Sequence, residues 1–151
     1  MQNKKTTFKL LLAVTCFFFS LQQSFAQVDK LKNALSDTSI KMIGKLQEEG
    51  NRFRYDFHDI YSDDSIAKDL QAAGYHGGGP SWLGIIYGAF QACENNLIES
   101  FEMKVEVTGV TFWASNKDDL EKIGRLVNVI KSDDTALQLA IDKATELDIM
   151  Q

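Results

Sequence analysis

Hydrophobic and polar residues alternate cleanly over Arg52 to His58, and most cleanly over Phe101 to Val107. Phe53, Tyr55 and Phe57 face one way, and Arg52, Arg54, Asp56 and His58 the other. A period of two is the strand pattern, because successive side chains leave a strand on opposite faces. Ile40, Met42, Gly44 and Leu46 repeat at the same period over residues 40–47, and Glu48-Glu49-Gly50-Asn51 separates the two runs as a turn. The pair predicts a β-hairpin with one buried face. A second hairpin follows downstream. Phe101, Met103, Val105 and Val107 point inward while Glu102, Lys104 and Glu106 point outward, and Thr108-Gly109 supplies the turn. Val110, Phe112 and Ala114 form the partner strand, which leaves Thr111 and Trp113 on the opposite face.

Elsewhere the period changes to that of helices. Val28, Leu31 and Leu35 suit a short helix over residues 28–36, or a frayed lead-in to the domain. Asp63-Asp64-Ser65 offers N-caps for a helix over residues 66–73, with Ile66, Leu70 and Ala73 as its inner stripe and Gly74 as its C′ glycine. Residues 82–93 predict a helix apolar nearly all round, before Glu94 and Asn95-Asn96 close it. Such a helix is a central core element or part of an interface. Ser115-Asn116-Lys117-Asp118 reads as a capping box for a helix running to about Lys131, striped by Leu120, Ile123, Val127 and Ile130. Thr135-Ala136-Leu137-Gln138 reads as a second box, opening a last helix with Leu137, Ala140, Ile141 and Ala144 inside. The order ββααββαα, with short turns in both hairpins, predicts one α+β domain. Two antiparallel hairpins form a small sheet packed against about four helices.

The first twenty-six residues stand apart from that pattern. Lys4, Lys5 and Lys9 form a basic region, residues 10–21 are apolar, and Ser24-Phe25-Ala26 places small residues at −3 and −1. This predicts a secretory signal peptide over residues 1–26, with cleavage before Gln27 and a periplasmic or secreted destination. The alternative is a lipoprotein signal ending at Cys16, which Thr15 and the apolar Phe17-Phe18-Phe19 both disfavour. The domain is then residues 27–151. Loss of three lysines and no acids takes the formal charge from −5 to −8. An acidic domain repels nucleic acid and anionic membrane surfaces and favours cationic partners. No second apolar run of transmembrane length follows, so no membrane insertion is expected after cleavage. Cys93 is the one cysteine left and has no intramolecular disulfide partner.

The distinctive stretch is Gly74-Tyr75-His76-Gly77-Gly78-Gly79-Pro80-Ser81-Trp82. Pro80 suits the first turn of a helix, with Gly79 or Ser81 as N-cap. The bare N–H groups of the glycines and the helix N-terminus could receive an anion or a partner's carboxylate, or the stretch could be a tight connection that lets two helices pack closely. A lipase-type oxyanion loop would require a G-x-S-x-G elbow, which is missing. No P-loop sequence occurs either. Asp56, His58 and His76 could approach one another as zinc ligands, but no metal-ligand spacing supports them. Neither a catalytic group, a metal nor a cofactor is therefore expected. Trp82 and Trp113 read as exposed-side aromatics that suit an interface, though core positions would be equally ordinary.

The glycine–tryptophan stretch, followed by an apolar helix, resembles the G-Y-x-G-N-G-x-D-W segment of the immunity protein 51 family, the predicted antidotes of polymorphic toxin systems. Phe112-Trp113-Ala114-Ser115 with the helix from Lys117, and the break at Ser132-Asp133-Asp134, are also similar. Gly78 and Ser81 depart from the family's asparagine and aspartate, and Thr108-Gly109 stands where an acidic residue is expected. The resemblance spans residues 40–144. It implies an α+β immunity protein that blocks a cognate protein toxin by binding, without catalysis. The expected partner-binding residues are Tyr75, His76, Gly77, Gly78, Gly79, Ser81, Trp82 and Trp113. The alternative is a small exported enzyme or ligand-binding domain that uses residues 74–82 as an anion pocket.

Overall fold

The computed structural model describes residues 25–59 and 65–151. The expected signal region up to residue 24 and the caps Asp63 and Asp64 lie outside the described residues. The chain folds as one α+β domain, as the pattern predicts. Helix α1 (residues 25–36) leads into β1 (Lys45–Glu49) and β2 (Arg52–Phe57). Helices α2 (Ile66–Ala72) and α3 (Gly79–Ala92) follow, then a 3-10 turn (Leu97–Ser100). Strands β3 (Glu102–Val105) and β4 (Val110–Ala114) come next, and α4 (Lys117–Ser132) and α5 (Asp134–Glu146) complete the chain.

All strand pairs are antiparallel, and the sheet order is β1-β2-β4-β3. The two hairpins meet along β2 and β4, where Tyr55 pairs with Phe112 and Asp56 with Thr111. One face of this central pair carries Tyr55, Phe57, Val110 and Phe112, all buried. Phe101 meets Phe112 edge to face at 6.1 Å, an arrangement that aromatic quadrupoles favour. Helices α3 and α4 cover that face, with Ile85, Ile86, Phe90, Leu120, Ile123 and Val127 fully buried. At the α3–α5 crossing the helices run backbone to backbone: a Cβ on Gly88 would lie 2.3 Å from the Ala140 carbonyl oxygen.

Several boundaries differ from the expected ones for local reasons. The first strand begins at Lys45 rather than Ile40, because the preceding chain crosses α4 instead. There the Ile43 N–H donates to the Gly124 carbonyl, and Asn128 Nδ2 donates to the Lys41 carbonyl. The third strand ends at Val105. Met103 and Val105 share the helix-side face with Phe112 and Val110 as predicted, but they are 36% and 40% exposed because β3 is an edge strand, and Val107, expected inward, lies past the strand end and is 68% exposed. Neither capping box forms as drawn. Asn116, not Ser115, caps α4 by accepting from the Asp118 N–H, and Asp133, not Thr135, caps α5 by accepting from the Thr135 and Ala136 N–H groups. A carboxylate at the N-terminus gains the helix dipole as well as the hydrogen bonds, which favours Asp133 over a threonine two residues on.

Helix α1 is held by charge at its end. Arg125 is buried, and its Nε donates to the Ala34 carbonyl at 3.0 Å. Lys30 pairs with Asp133, and this contact, with the Thr135 hydroxyl and the Ala136 N–H, holds the Asp133 carboxyl well below the usual range.

Candidate functional site

The glycine stretch begins with a Schellman ending to α2. The N–H of Gly74 donates to Gln71 and that of Tyr75 to Leu70, with Gly74 at φ +93 where a Cβ would be costly. The chain then turns inward. Gly77, Gly78 and Gly79 are buried, and α3 starts at Gly79 with Gly78 as N-cap. The helix therefore opens earlier than Pro80 suggested, and Ser81 lies inside it rather than at the cap.

Every N–H from His76 to Gly79 already has an acceptor within the chain. His76 donates to the Gln151 backbone oxygen at 3.0 Å and Gly77 to Ser81 Oγ at 2.9 Å. Gly78 donates to His76 Nδ1 at 3.2 Å and Gly79 to the Val107 carbonyl at 3.2 Å. The Ser81 hydroxyl donates onward to the Gln151 backbone oxygen. The glycines also seat the helix N-terminus on the β3–β4 turn. A Cβ on Gly78 would lie 2.1 Å from Val107 O, and one on Gly79 would lie 2.0 Å from Glu106 O. The donors expected to await an anion thus bind the C-terminal segment, the loop itself and the β3–β4 turn.

Trp82 is fully buried, not on the exposed side as the pattern suggested. Its ring packs edge-on against Phe57, with centroids 4.9 Å apart, and its Nε1 donates to Asp59 Oδ2 at 2.9 Å. Lys131 of α4 pairs with the other Asp59 oxygen and lies 5.8 Å from the centroids of both rings. A carboxylate shielded from water requires such partners. This network was invisible in the sequence, because Asp59 and Lys131 lie 72 positions apart with no shared local pattern.

Of the expected partner-binding residues, three keep a face to solvent. His76 is exposed, and Tyr75 and Trp113 are half-buried. Tyr75 lines a groove between α2 and α5. Trp113 lies on the far side of the sheet, remote from the buried loop and turned away from α3 and α4. Arg52 and Arg54 place their guanidinium carbons 5.1 and 5.6 Å from its ring centroid, close enough for cation–π attraction. Its Nε1 donates to Glu49 at 3.2 Å. Arg54 also forks onto Asp56, at 3.0 and 2.8 Å, and Thr111 donates to the same carboxylate oxygen at 2.8 Å. The β1, β2 and β4 side chains of this face therefore form one connected polar network around an indole.

The candidate zinc ligands do not converge. Asp56 is taken by Arg54 and Thr111, His58 Nδ1 lies 3.1 Å from the Thr108 hydroxyl, and His76 Nδ1 accepts from Gly78. Among the described residues no group of three or more His, Cys, Asp or Glu side chains could hold a metal ion. Cys93 is buried, which pushes its thiol up to about 11. No helix among the described residues is long and apolar enough to cross a membrane. Compared with protein-family models, curated proteins and solved structures, the chain matches none.

Proposed function

We propose that the protein is an exported immunity-type protein that neutralises a bacterial toxin by binding and occluding it, with no chemistry of its own. The observation that carries this reading is the Trp113 face of the sheet. It presents an indole pinned by Glu49 beneath two guanidinium groups, Arg52 and Arg54. Tryptophan and arginine anchor interfaces disproportionately, and side chains already ordered lose less entropy on binding. The resemblance of residues 74–82 and 112–115 to immunity protein 51 supplies the toxin as the partner class. The charge of −8 left without residues 1–26 favours a cationic one. Export to the periplasm or beyond follows from the basic, apolar and small-residue succession of those first 26 residues. The anion-pocket reading is the weaker one, because the N–H groups of residues 76–79 are already bonded within the chain.

The test is a pull-down of the protein from its native cells, with partners identified by mass spectrometry and then expressed in a heterologous host with and without it. A partner that kills alone and is tolerated on co-expression is the expected result. Recovery of no toxic partner, or turnover of a small molecule by the purified protein, refutes the proposal. N-terminal sequencing of the recovered protein should begin at Gln27; a chain beginning at Met1 or a lipid on Cys16 refutes the export step.

A further inference from the structure

The groove between α2 and α5 has a volume of about 890 Å³ and is distinct from the Trp113 face. Its lining falls into rows set by helix geometry. On α5, Leu137, Ile141 and Thr145 follow at intervals of four, beside a second row of Asp134, Gln138, Asp142 and Glu146 at the same interval. Positions four apart lie one above another on a helix, so these are two parallel stripes, one mainly apolar and one mainly acidic. The acidic row spans about 18 Å at 1.5 Å per residue. Across the groove α2 offers buried Leu70 and half-buried Ile66, with a single carboxylate, Asp69, beside them, and Tyr75 lines the same groove. Leu137 and Ile141 are half-buried, whereas Asp134, Asp142 and Glu146 are exposed.

Among the described residues the charges lining this groove are of one sign, with no lysine or arginine. Glu146 pairs with Lys143, an exposed contact of 2.9 Å. Asp142 accepts only an amide N–H from Gln138, at 2.7 Å, and Asp69 a hydroxyl from Ser65, at 2.6 Å. An apolar floor flanked by carboxylates in helical register matches one kind of occupant: an amphipathic helix that lays leucine-like anchors between α2 and α5 and carries lysine or arginine along its flanks.

We infer that the α2–α5 groove is a docking site for a basic amphipathic helix of a partner protein. The inference rests on the proposed function only for that partner's role as a toxin; the groove chemistry stands apart from it.

The probe is an eighteen-residue peptide with leucines at i, i+3, i+4 and i+7 spacing and lysines elsewhere, titrated into the full protein by calorimetry and by amide-resolved NMR. The control peptide carries glutamates in place of the lysines. The lysine peptide should bind, shifting the resonances of Leu70, Tyr75, Leu137 and Ile141, and the glutamate peptide should not. Asp134→Asn, Asp142→Asn and Glu146→Gln together should weaken binding at least tenfold. Glu48→Gln, Glu94→Gln and Asp118→Asn together remove as much charge elsewhere and should change it less than twofold. All the variants alter exposed side chains, and melting curves check that they remain folded. Equal weakening by both triple variants would reduce the effect to net charge and overturn the inference. Shifts centred on Trp113, or no binding because another part of this chain fills the groove, would overturn it too. Groove binding without any toxic partner in cells would overturn the immunity reading alone.

Discussion

Replacing Lys131 by methionine strips a cation from a carboxylate that water cannot reach. The Asp59 side chain is 0% exposed and that of Lys131 15%, and the Asp59 carboxylate also accepts the Trp82 indole N–H. Breaking a buried pair from one side costs about 3–5 kcal/mol, because the remaining charge loses its compensation without regaining water. The slight exposure of Lys131 places the expected cost near the lower figure, about 3 kcal/mol. Against a total stability of about 5–15 kcal/mol that is a large fraction. It corresponds to a fall in Tm of roughly 12 °C for a domain of this size. Urea unfolding followed by tryptophan fluorescence reads it directly, since Trp82 sits on the network. The second arm is Asp59→Asn with Lys131→Met. The asparagine keeps an oxygen for Trp82 and carries no charge, so the double variant should lie within about 1.5 kcal/mol of wild type. A cost under about 1 kcal/mol for Lys131→Met alone, or a double variant less stable than that single one, would refute the reasoning.

Gly78→Ala and Gly79→Ala should each cost about 2 kcal/mol or more, because the new methyl meets backbone oxygens that cannot rotate away; paired thermal melts check this, and unchanged Tm values would refute it. Asp133→Asn keeps an N-cap but loses the charge paired with Lys30. Its folded-state carboxyl is depressed, so its contribution is present above the unfolded value near 4 and is lost as the pH falls through the folded value. The variant should thus be about 1 kcal/mol less stable at pH 7 and equal to wild type in strong acid, read by urea melts across pH. Trp113→Ala should lower affinity for the pulled-down partner by about 2 kcal/mol or more with little change in melting temperature; unchanged affinity would move the interface off that sheet face.

Alternation along the chain predicted β2 and β4 almost to the residue, because both are central strands with one face committed to the core. It overran at Ile40–Gly44, where a period-two run crosses α4 as an irregular connection. Alternation records which side is buried but not whether a neighbouring strand is present to pair. The stripes of α4 and α5 were equally legible, yet both caps were misplaced by one or two residues, since several adjacent polar side chains could each have accepted the free N–H groups. Trp82 could not be assigned a side from an apolar helix with no polar face to orient it. The Asp59–Lys131 pair left no local trace at all. The acidic row of α5 did leave one, in Asp134, Gln138, Asp142 and Glu146 at intervals of four, but the groove it shares with Leu70 and Asp69 of α2 becomes visible only when the helices are set side by side.

The β1-β2-β4-β3 order also sets the kinetics of folding. Each hairpin closes over a short turn, a step of microseconds. The seam between them joins Asp56 to Thr111 across 55 positions. Closing a flexible loop of that length costs about 3.5 kcal/mol of chain entropy before any contact along the seam repays it. The hairpins should therefore form and dissolve many times before they zip together, and the seam should be the barrier. Truncating Tyr55 or Phe112 should then slow refolding, whereas weakening the outer strands β1 or β3 should mainly speed unfolding. A stopped-flow chevron for one variant of each kind would place the nucleus at the junction of two halves that are each quick to form.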